Sequence, residues 1–537
     1  MTIHPAAKRV LFYSPYGKWH YHRVQEATLA HALKQRGAAV RFVACDGLFP
    51  ACDVYREGLN PRGPVSCLEC QHVSTGVQLA MGLEAQWLGR HLPAGAAAAV
   101  HDWVQSLPAE ELLAASWRGY PVGAWARSSA FFQYRMSRFD LENSSAIQGV
   151  RDHVHGTALA TEALLPLYDE FRPDVVVLLN GRFFSHWAAL ELARERGIKV
   201  VTHERGLVAG SLRFLENRRV HDLHAYDSLW ENWRDHPLNT EELTYTHNLL
   251  QDRRAGRNLP WTPFSPAPEC EEGLRRRLHL GERPVIAVFS SSDDETAAFP
   301  EWRVGAFPDS LAWLPATLKL AHRLPDHVLV LRMHPNLTAG GVNSQAMEEV
   351  RAMSRCLPGN CRIVMPEENV SSYTLADMAR VGVVYYSTLG LEMACRGQPV
   401  VAVCRGWYGR CDFVTGVESP RAYLPALLAA VQRRPSLATA RAAYRFVFHC
   451  YHDLSIPFPL VVEQPRHTGK VTYGNTADLI PGKEDNLDRI CRFILTGEPL
   501  ASSPSEAHQA RTQEEEDLFF ARWYPRLVVA LETMAHA

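Results

Sequence analysis

The sequence predicts an α/β fold in which two domains are each built around a parallel sheet. Short apolar runs alternate with amphipathic helical segments near the N-terminus, and the alternation starts again near residue 282. The runs are almost continuously apolar, as in PDVVVLLNGR, which is typical of strands covered on both faces. A Pro-rich stretch at 258–270 separates the two series. With 537 residues the chain is too long for one core, so two or three domains are expected.

The N-terminal half opens with a β-α-β pattern. RVLFYSP and AVRFVACDG are apolar runs, and the segment between them, HRVQEATLAHALKQRG, has helical spacing and closes on Gly37. Residues 76–170 are predicted to form helices broken by Pro and Gly. The pattern then resumes as strand PDVVVLLNGR, helix SHWAALELARERG and strand IKVVTHERG, whereas residues 207–265 fit no clear element.

The second series consists of the strands RPVIAVF, HVLVLRM, CRIVM, VGVVYY and QPVVAVC with helical segments between them. Because this pattern is that of a second Rossmann-like sheet, we expect domains at 1–265, with a helical insertion, and at 266–450. Residues 451–537 are expected to form a tail whose helix, QEEEDLFFARWYPRLVVALETM, packs back on the N-terminal domain.

Composition narrows the class of function. The net charge of −2 gives no global basic field, so binding to bulk nucleic acid is not expected. The sequence contains no run of about 18 uncharged apolar residues, so no transmembrane helix is expected. The N-terminus lacks the apolar core of a signal peptide, so we expect a cytoplasmic protein, with peripheral association at the inner membrane left open.

Polar side chains follow three strands of the second series. His334-Pro335 ends one strand, and Ser387-Thr388 stands between another strand and a helix that contains Gly390 and Glu392. Ligands of open α/β sheets bind outside the carboxyl ends of the strands, so a phosphate site is expected here, with Ser290 and Ser291 on a third strand end. The alternatives are a structural histidine and a plain helix cap at Ser387. Glu392 is expected either to accept from ribose hydroxyls or to complement the helix dipole from the first turn.

A second group of polar residues follows the strands of the N-terminal half. Glu204 is the candidate general base, and Arg205 could pair with a donor carboxylate or phosphate. The alternative is that these two residues form an interdomain ion pair. The acceptor side is expected to be formed by four residues of neighbouring strand ends: Lys18, His20, Asn180 and Arg182.

Four of the twelve cysteines lie close together in the sequence, at Cys45, Cys52, Cys67 and Cys70. Their C-x6-C-x14-C-x2-C pattern fits four thiolates around a structural zinc ion or an iron–sulfur cluster, although the first gap is longer than usual. Scattered free thiols are the alternative. A catalytic thiol is not favoured, because no activating partner is evident.

Three stretches resemble a known family: RMHPN, VSSYTLADMARVGVVYYSTLGLEMACRGQPVVAV and VVTHERGLVAGSLRF. They are similar to the capsule polysaccharide biosynthesis proteins, the Kdo-transferase-like glycosyltransferases of bacterial surface-glycan assembly. The pair His334-Pro335 and Ser387-Thr388 also resembles the His-Pro and Ser-Ser/Thr motifs of bacterial sialyltransferases, which hold the phosphate and nucleotide of a CMP-activated sugar. The acidic-acidic-Gly motif of those enzymes is absent, and CDG (45–47) and HERG (203–206) are the nearest approaches.

The resemblance implies a GT-B fold, two facing Rossmann-like domains, and transfer of a sugar from a CMP-linked donor of the Kdo or sialic-acid kind. The acceptor would be a glycan or a lipid-linked hydroxyl, and no catalytic metal is expected. His334 would stabilise the departing phosphate and Glu204 would act as the base. A UDP- or GDP-sugar-dependent transferase, an epimerase-like enzyme and a non-catalytic scaffold of glycan assembly stay open as alternatives.

Overall fold

The structure is a computed structural model that describes residues 7–55, 61–260, 265–292, 295–341, 345–501 and 512–527. Up to residue 222 its helices and strands are β1 (Arg9–Tyr13), α1 (His20–Gln35), β2 (Ala39–Ala44), α2 (Ser66–Ala80), β3 (Gln86–Trp87), α3 (Ala96–Ser106), α4 (Val122–Tyr134), α5 (Ser144–Phe171), β4 (Val175–Leu179), α6 (Phe184–Glu195), β5 (Lys199–Arg205) and β6 (Ser211–Glu216).

The next elements are α7 (His224–Trp233), α8 (Thr240–Arg254), α9 (Glu271–Arg277), β7 (Val285–Phe289), α10 (Ser310–Leu320), β8 (Val328–Arg332), α11 (Gln345–Met353), β9 (Cys361–Val364), α12 (Ser372–Met378), β10 (Ala379–Val384), α13 (Thr388–Ala394), β11 (Val400–Ala402), β12 (Thr415–Gly416), α14 (Pro420–Gln432) and α15 (Leu437–Phe448). They are followed by β13 (Ile456–Pro457), β14 (Val461–Gln464), β15 (Thr468–Val471), α16 (Asp485–Thr496) and α17 (Gln513–Trp523).

The chain forms two compact units, and the described residues of unit 1 fall within 1–134, 138–222 and 454–501. Its described strands form one sheet in the order β13-β6-β5-β4-β1-β2-β3. The run from β5 to β3 is parallel, whereas β6 and β13 add antiparallel strands at one edge. Apolar side chains on both faces are fully buried, as at Phe12 on one face and at Leu11 and Val176 on the other, which is why these strands are continuous apolar runs.

Unit 2 contains residues 135–137 and 223–453 together with the last helix, α17. Its described strands form a sheet in the order β12-β11-β10-β7-β8-β9, and every pair in it is parallel. Phe289 at the end of β7 is in register with Arg332 of β8 and Val384 of β10, so three central strands end at the same edge. The predicted α/β fold with two Rossmann-like domains on parallel sheets is therefore confirmed.

The division of the chain differs from the expected boundaries of 265 and 450. Residues 223–260 belong to unit 2 because α7 and α8 pack on α15, with Trp230 against Phe446 and Tyr245 against Phe448. Residues 454–501 lie in unit 1, where β13 pairs with β6. Helix α17 instead packs in unit 2, where Glu516 accepts from Arg445. The end of the predicted tail helix, 528–534, lies outside the described residues.

Within the part of the chain that the structure describes, no helix has both the length and the apolar character needed to cross a membrane.

Candidate functional site

Three adjacent strand ends of unit 2 bring the predicted donor-side residues together. Ser290 and Ser291 follow β7, which lies between β8 and β10 in the sheet. The His334 N–H donates to Ser290 Oγ at 2.8 Å, and the Tyr386 N–H donates to Ser291 Oγ at 3.4 Å. The two serines are buried, so their hydroxyls tie the loops after β8 and β10 to the central strand.

The His334 ring is held in one protonation state. Its Nδ1 accepts from the Asn336 N–H at 3.1 Å, in the first turn of a 3₁₀ helix that begins at Pro335. Burial, helped by the cations Arg332 and Arg135, lowers the pKa of His334 to about 4. The imidazole is therefore neutral at pH 7, and because Nδ1 accepts, its proton is on Nε2. This nitrogen is a hydrogen-bond donor suited to a phosphate oxygen.

Two residues beside His334 were not found by sequence reasoning. Arg135 donates from Nη1 to the Asn336 carbonyl at 2.5 Å, although it lies 201 positions away in the chain. Asn336 Nδ2 donates to Ser292 Oγ at 3.3 Å. The HPN stretch could have indicated Asn336, but nothing local to Arg135 indicates that it packs against this loop.

Ser387 caps α13, as the alternative interpretation expected. Its Oγ accepts from the Leu389 N–H at 3.4 Å, and its carbonyl accepts from the Tyr408 hydroxyl. A Cβ on Gly390 would meet Tyr408 Oη at 2.5 Å, so this glycine is explained by packing. Ser387 and Thr388 are half-buried and keep some exposure, and their contact with a donor stays a prediction.

Glu392 has a partner that neither expectation named. Helix α13 begins at Thr388 and has no acidic residue in its first turn, so the helix-dipole expectation for Glu392 was wrong. Its Oε1 accepts from Arg253 Nε at 3.0 Å, and the two side chains are 9% and 7% exposed. The pair is buried inside unit 2, which favours a structural role over a ribose contact.

Replacing Glu392 with alanine is expected to destabilise unit 2 by about 3–5 kcal/mol, because Arg253 would be left as a buried charge without its carboxylate. Urea unfolding of the variant measures this loss. Asp377→Ala is the matched control, since Asp377 is 38% exposed in its pair with Arg254 and its removal should cost no more than about 1 kcal/mol. Unchanged stability together with lost nucleotide affinity in Glu392→Ala would instead support the ribose contact.

In unit 1, Glu204 at the end of β5 is surrounded by donors. Asn180, after the neighbouring β4, donates from Nδ2 to Glu204 Oε2 at 2.9 Å, and the Arg205 N–H donates to Oε1 at 2.9 Å. His22 Nε2 of α1 lies 3.7 Å from Oε1. Asn180 has a φ of 34°, which asparagine tolerates better than most residues. The structure thus joins two predicted residues, Asn180 and Glu204, and adds His22.

The proton affinity of Glu204 is low. Burial alone would raise its pKa, but His22, the Asn180 amide and the Arg205 N–H and guanidinium outweigh burial and lower the pKa to about 2. Burial also lowers the pKa of His22 to about 4. Glu204 is therefore ionised at neutral pH and is a weak base, whereas an efficient base has a pKa nearer to the working pH.

A second buried pair in unit 1 lies beside this cluster. His203 Nε2 and Glu26 Oε1 are 2.8 Å apart, and Glu26 also accepts from the Ser14 hydroxyl. Arg23 Nη1 donates to the Ser14 carbonyl at 2.5 Å. Sequence reasoning missed Glu26, and the only available signal was a carboxylate among the apolar positions of α1. With Glu26 and His203 at most 2% exposed, this network holds α1 against the sheet.

The other residues predicted for unit 1 have partners inside the unit. Arg205 Nη2 donates to Glu463 Oε1 at 2.8 Å, and both residues belong to unit 1. Arg182 is 5% exposed and stacks on Phe183, 4.2 Å from the ring centroid. Lys18 is exposed and pairs with Glu69 at 2.7 Å, and His20 Nδ1 accepts from the Gly469 N–H at 2.9 Å. Lys18 is thus the most accessible of the predicted acceptor-side residues.

The four clustered cysteines line one small cavity of unit 1, and all four are free thiols. Among the described residues, no group of three or more His, Cys, Asp or Glu side chains is arranged to hold a metal ion. A structural metal at these cysteines stays a prediction.

Comparison with known proteins gives structural neighbours only. No family model matches the chain. No curated protein matches it either. The KpsC β-Kdo 2,4 transferase of Thermosulfurimonas dismutans is similar at 13% identity and a TM-score of 0.36, over 57% of this chain and 86% of that one. The KpsC β-Kdo 2,7 transferase of the same organism is similar at 13% identity and a TM-score of 0.34, over 57% and 85%.

A UDP-GlcNAc 2-epimerase of Methanocaldococcus jannaschii, solved with UDP-GlcNAc and UDP, is similar at 9% identity and a TM-score of 0.29, over 91% of this chain and 99% of that one. The structural neighbours thus include KpsC Kdo transferases, which belong to the family that the sequence resembles. They also include a UDP-GlcNAc 2-epimerase, the kind of enzyme named above as an alternative.

Proposed function

We propose that the chain is a glycosyltransferase of surface-polysaccharide assembly that uses a nucleotide-activated sugar, CMP-linked and of the Kdo or sialic-acid kind. The observation that carries the proposal is the meeting of Ser290, His334 and Ser387 on three adjacent parallel strand ends of unit 2. That edge is where open α/β sheets bind nucleotides. The hydroxyl and imidazole groups there suit a phosphate.

In the proposed reaction, the bond between the anomeric carbon and the phosphate oxygen breaks, and negative charge grows on the departing CMP. His334 Nε2–H donates to that oxygen. A donor already oriented by the Asn336 N–H needs no reorganisation as the charge develops, which is the main source of its effect. Arg135, which donates to the Asn336 carbonyl, adds positive charge near the phosphate.

The acceptor hydroxyl forms the new bond to the anomeric carbon, and its proton must leave. We assign this proton to Glu204, which Asn180 and the Arg205 N–H hold in one orientation. With a pKa of about 2, Glu204 is too weak to ionise a free hydroxyl. The oxygen becomes strongly acidic once its bond to carbon is largely made, so transfer to Glu204 comes late in the step.

CMP is expected to stabilise unit 2 against heat more than UDP, GDP or dTDP. A ligand at 100 times its Kd adds about 2.7 kcal/mol of stability, which is roughly 5–10 °C in Tm for a unit of this size. Thermal unfolding of the full chain with each nucleotide at equal concentration measures the shift. No shift with any nucleotide would contradict the proposal. A larger shift with UDP would keep a nucleotide-sugar enzyme but replace its donor, and epimer formation without an acceptor would then identify the epimerase alternative.

A further inference from the structure

The cysteines at positions 45, 52, 67 and 70 come from three separate pieces of unit 1 and meet at one cavity. Cys45 follows β2, Cys52 lies in the loop after it, and Cys67 and Cys70 are on α2. The last two are three positions apart in the helix, so their side chains share one face. The cavity is also lined by Tyr16 and Phe49, which are buried.

Hydrogen-bond donors are directed at all four sulfurs, and at Cys52 the donor is the Val54 N–H. The Gly47 N–H donates to Cys45 Sγ at 3.3 Å, and the Gly17 N–H donates to Cys70 Sγ at 3.2 Å. Arg62 donates from Nη2 to Cys67 Sγ at 2.8 Å. Backbone amides and a guanidinium directed at sulfur stabilise thiolates, and such contacts tune the sulfur ligands of metal clusters.

We propose that these four cysteines bind an iron–sulfur cluster. Four cysteine thiolates are the usual ligand set of [2Fe–2S] and [4Fe–4S] clusters. A cluster spreads its ligands over several iron atoms, so the sulfurs surround a cavity instead of meeting at one point. The four thiols lie around one cavity in this way.

Other functions of the four thiols fit less well. None of the four is in a disulfide. A group of unrelated core thiols would not explain why a buried backbone amide and an arginine are directed at them.

The cluster would connect the loop after β2 to α2, and the loop after β1 packs on the same helix. Gly17 lies against that helix so closely that a Cβ there would meet the Cys70 carbonyl oxygen at 2.3 Å. Lys18, the next residue, pairs with Glu69 of the same helix. A cluster on Cys67 and Cys70 would thus hold in place the loop that carries Lys18, a predicted acceptor-side residue. The inference is independent of the proposed transfer reaction, because it concerns metal content.

The full chain, produced in iron-supplemented cells and purified without oxygen, is expected to contain about two to four iron atoms and as much acid-labile sulfide per chain. X-ray absorption at the iron edge should show sulfur ligands and iron–iron scattering. These measurements use the unaltered protein. Protein with neither iron nor sulfide, or with zinc in their place, would overturn the proposal.

Variants then assign the ligands. Cys52→Ser and Cys70→Ser are each expected to lower the iron and sulfide content at least severalfold. Cys270→Ser and Cys356→Ser are the matched controls, since these two thiols are exposed and belong to unit 2, and they should leave the content unchanged. Iron that persists in a Cys52→Ser/Cys70→Ser double variant, or that is lost in the controls, would refute the assignment.

Discussion

Replacing His334 with alanine is expected to lower the rate of sugar transfer by about 10²–10³-fold, the usual cost of removing one oriented donor from a developing oxyanion. The loss should fall mainly on kcat, because the charge that Nε2–H meets grows in the transition state. Release of CMP from a CMP-sugar in the presence of an acceptor measures the rate. The CMP-induced rise in Tm should become smaller in the same variant.

The variant should still fold. The backbone N–H of residue 334 keeps its bond to Ser290 Oγ, and the lost ring acceptor of the Asn336 N–H is worth about 1 kcal/mol. His327→Ala is the matched control, because His327 precedes β8, at the opposite end of the same strand from His334, and is also half-buried. Equal turnover and equal CMP affinity in His334→Ala and the parent protein would favour the structural-histidine and scaffold alternatives.

Local patterns in the sequence were sufficient to predict the sheets and the donor-side edge. A strand buried on both faces is apolar along nearly its whole length, so VVVLL and VLVLR can be recognised as strands from the sequence. Polar residues that directly follow such a run lie where the strand ends, at the edge of the sheet. Parallel strands end together, which is why Ser290 and His334 could be placed near each other without a structure. The proximity of these two residues can therefore be predicted from the strand pattern alone, without information on long-range contacts.

The parts that the sequence could not predict depend on contacts between distant residues. Arg135 reaches the loop at Asn336 through tertiary packing, and its own neighbours in the sequence carry no sign of that contact. The ion pairs Arg253–Glu392 and Arg205–Glu463 likewise join residues more than 100 positions apart. Many carboxylates could have satisfied each arginine, so charge alone does not select the partner, and both Glu392 and Arg205 were read as ligand contacts.

Unit 1 is expected to lose stability steeply when the pH falls below about 6.5. Burial lowers the pKa of His22 to about 4 and those of His186 and His221 to about 3. A histidine with a lowered pKa in the folded state contributes stability that is fully present above its unfolded value of 6.5 and is lost as the pH falls towards the folded value. Each such group costs about 1.4 kcal/mol per pH unit in that window, so the three together cost up to about 4 kcal/mol per unit.

Carboxylates do not reverse this slope in the same range. The pKa of Glu204 is lowered to about 2, so its stabilising contribution is lost only below its ordinary value of 4.5. Burial raises the pKa of Asp53, and this shift makes the folded state more stable as the pH falls. It is a single group, whereas three histidines change the stability in the other direction. Between pH 6.5 and pH 5 the three histidines should therefore cost unit 1 up to about 6 kcal/mol, a large part of the about 5–15 kcal/mol by which folded domains are stable.

Urea unfolding of the full chain at half-unit steps from pH 7.5 to 5 measures the slope, and His186→Phe tests its origin. His186 is 1% exposed, its ring lies 5.5 Å from those of Tyr13 and Tyr16, and its Nδ1 makes no hydrogen bond. Phenylalanine fits such aromatic surroundings and cannot take up a proton, so the slope should fall by about 1.4 kcal/mol per pH unit. His72→Gln, at an exposed position of α2, should leave the slope unchanged. An equal slope in His186→Phe and the parent protein would mean that His186 does not stay neutral in the folded chain, and the acid sensitivity would then have to come from other groups.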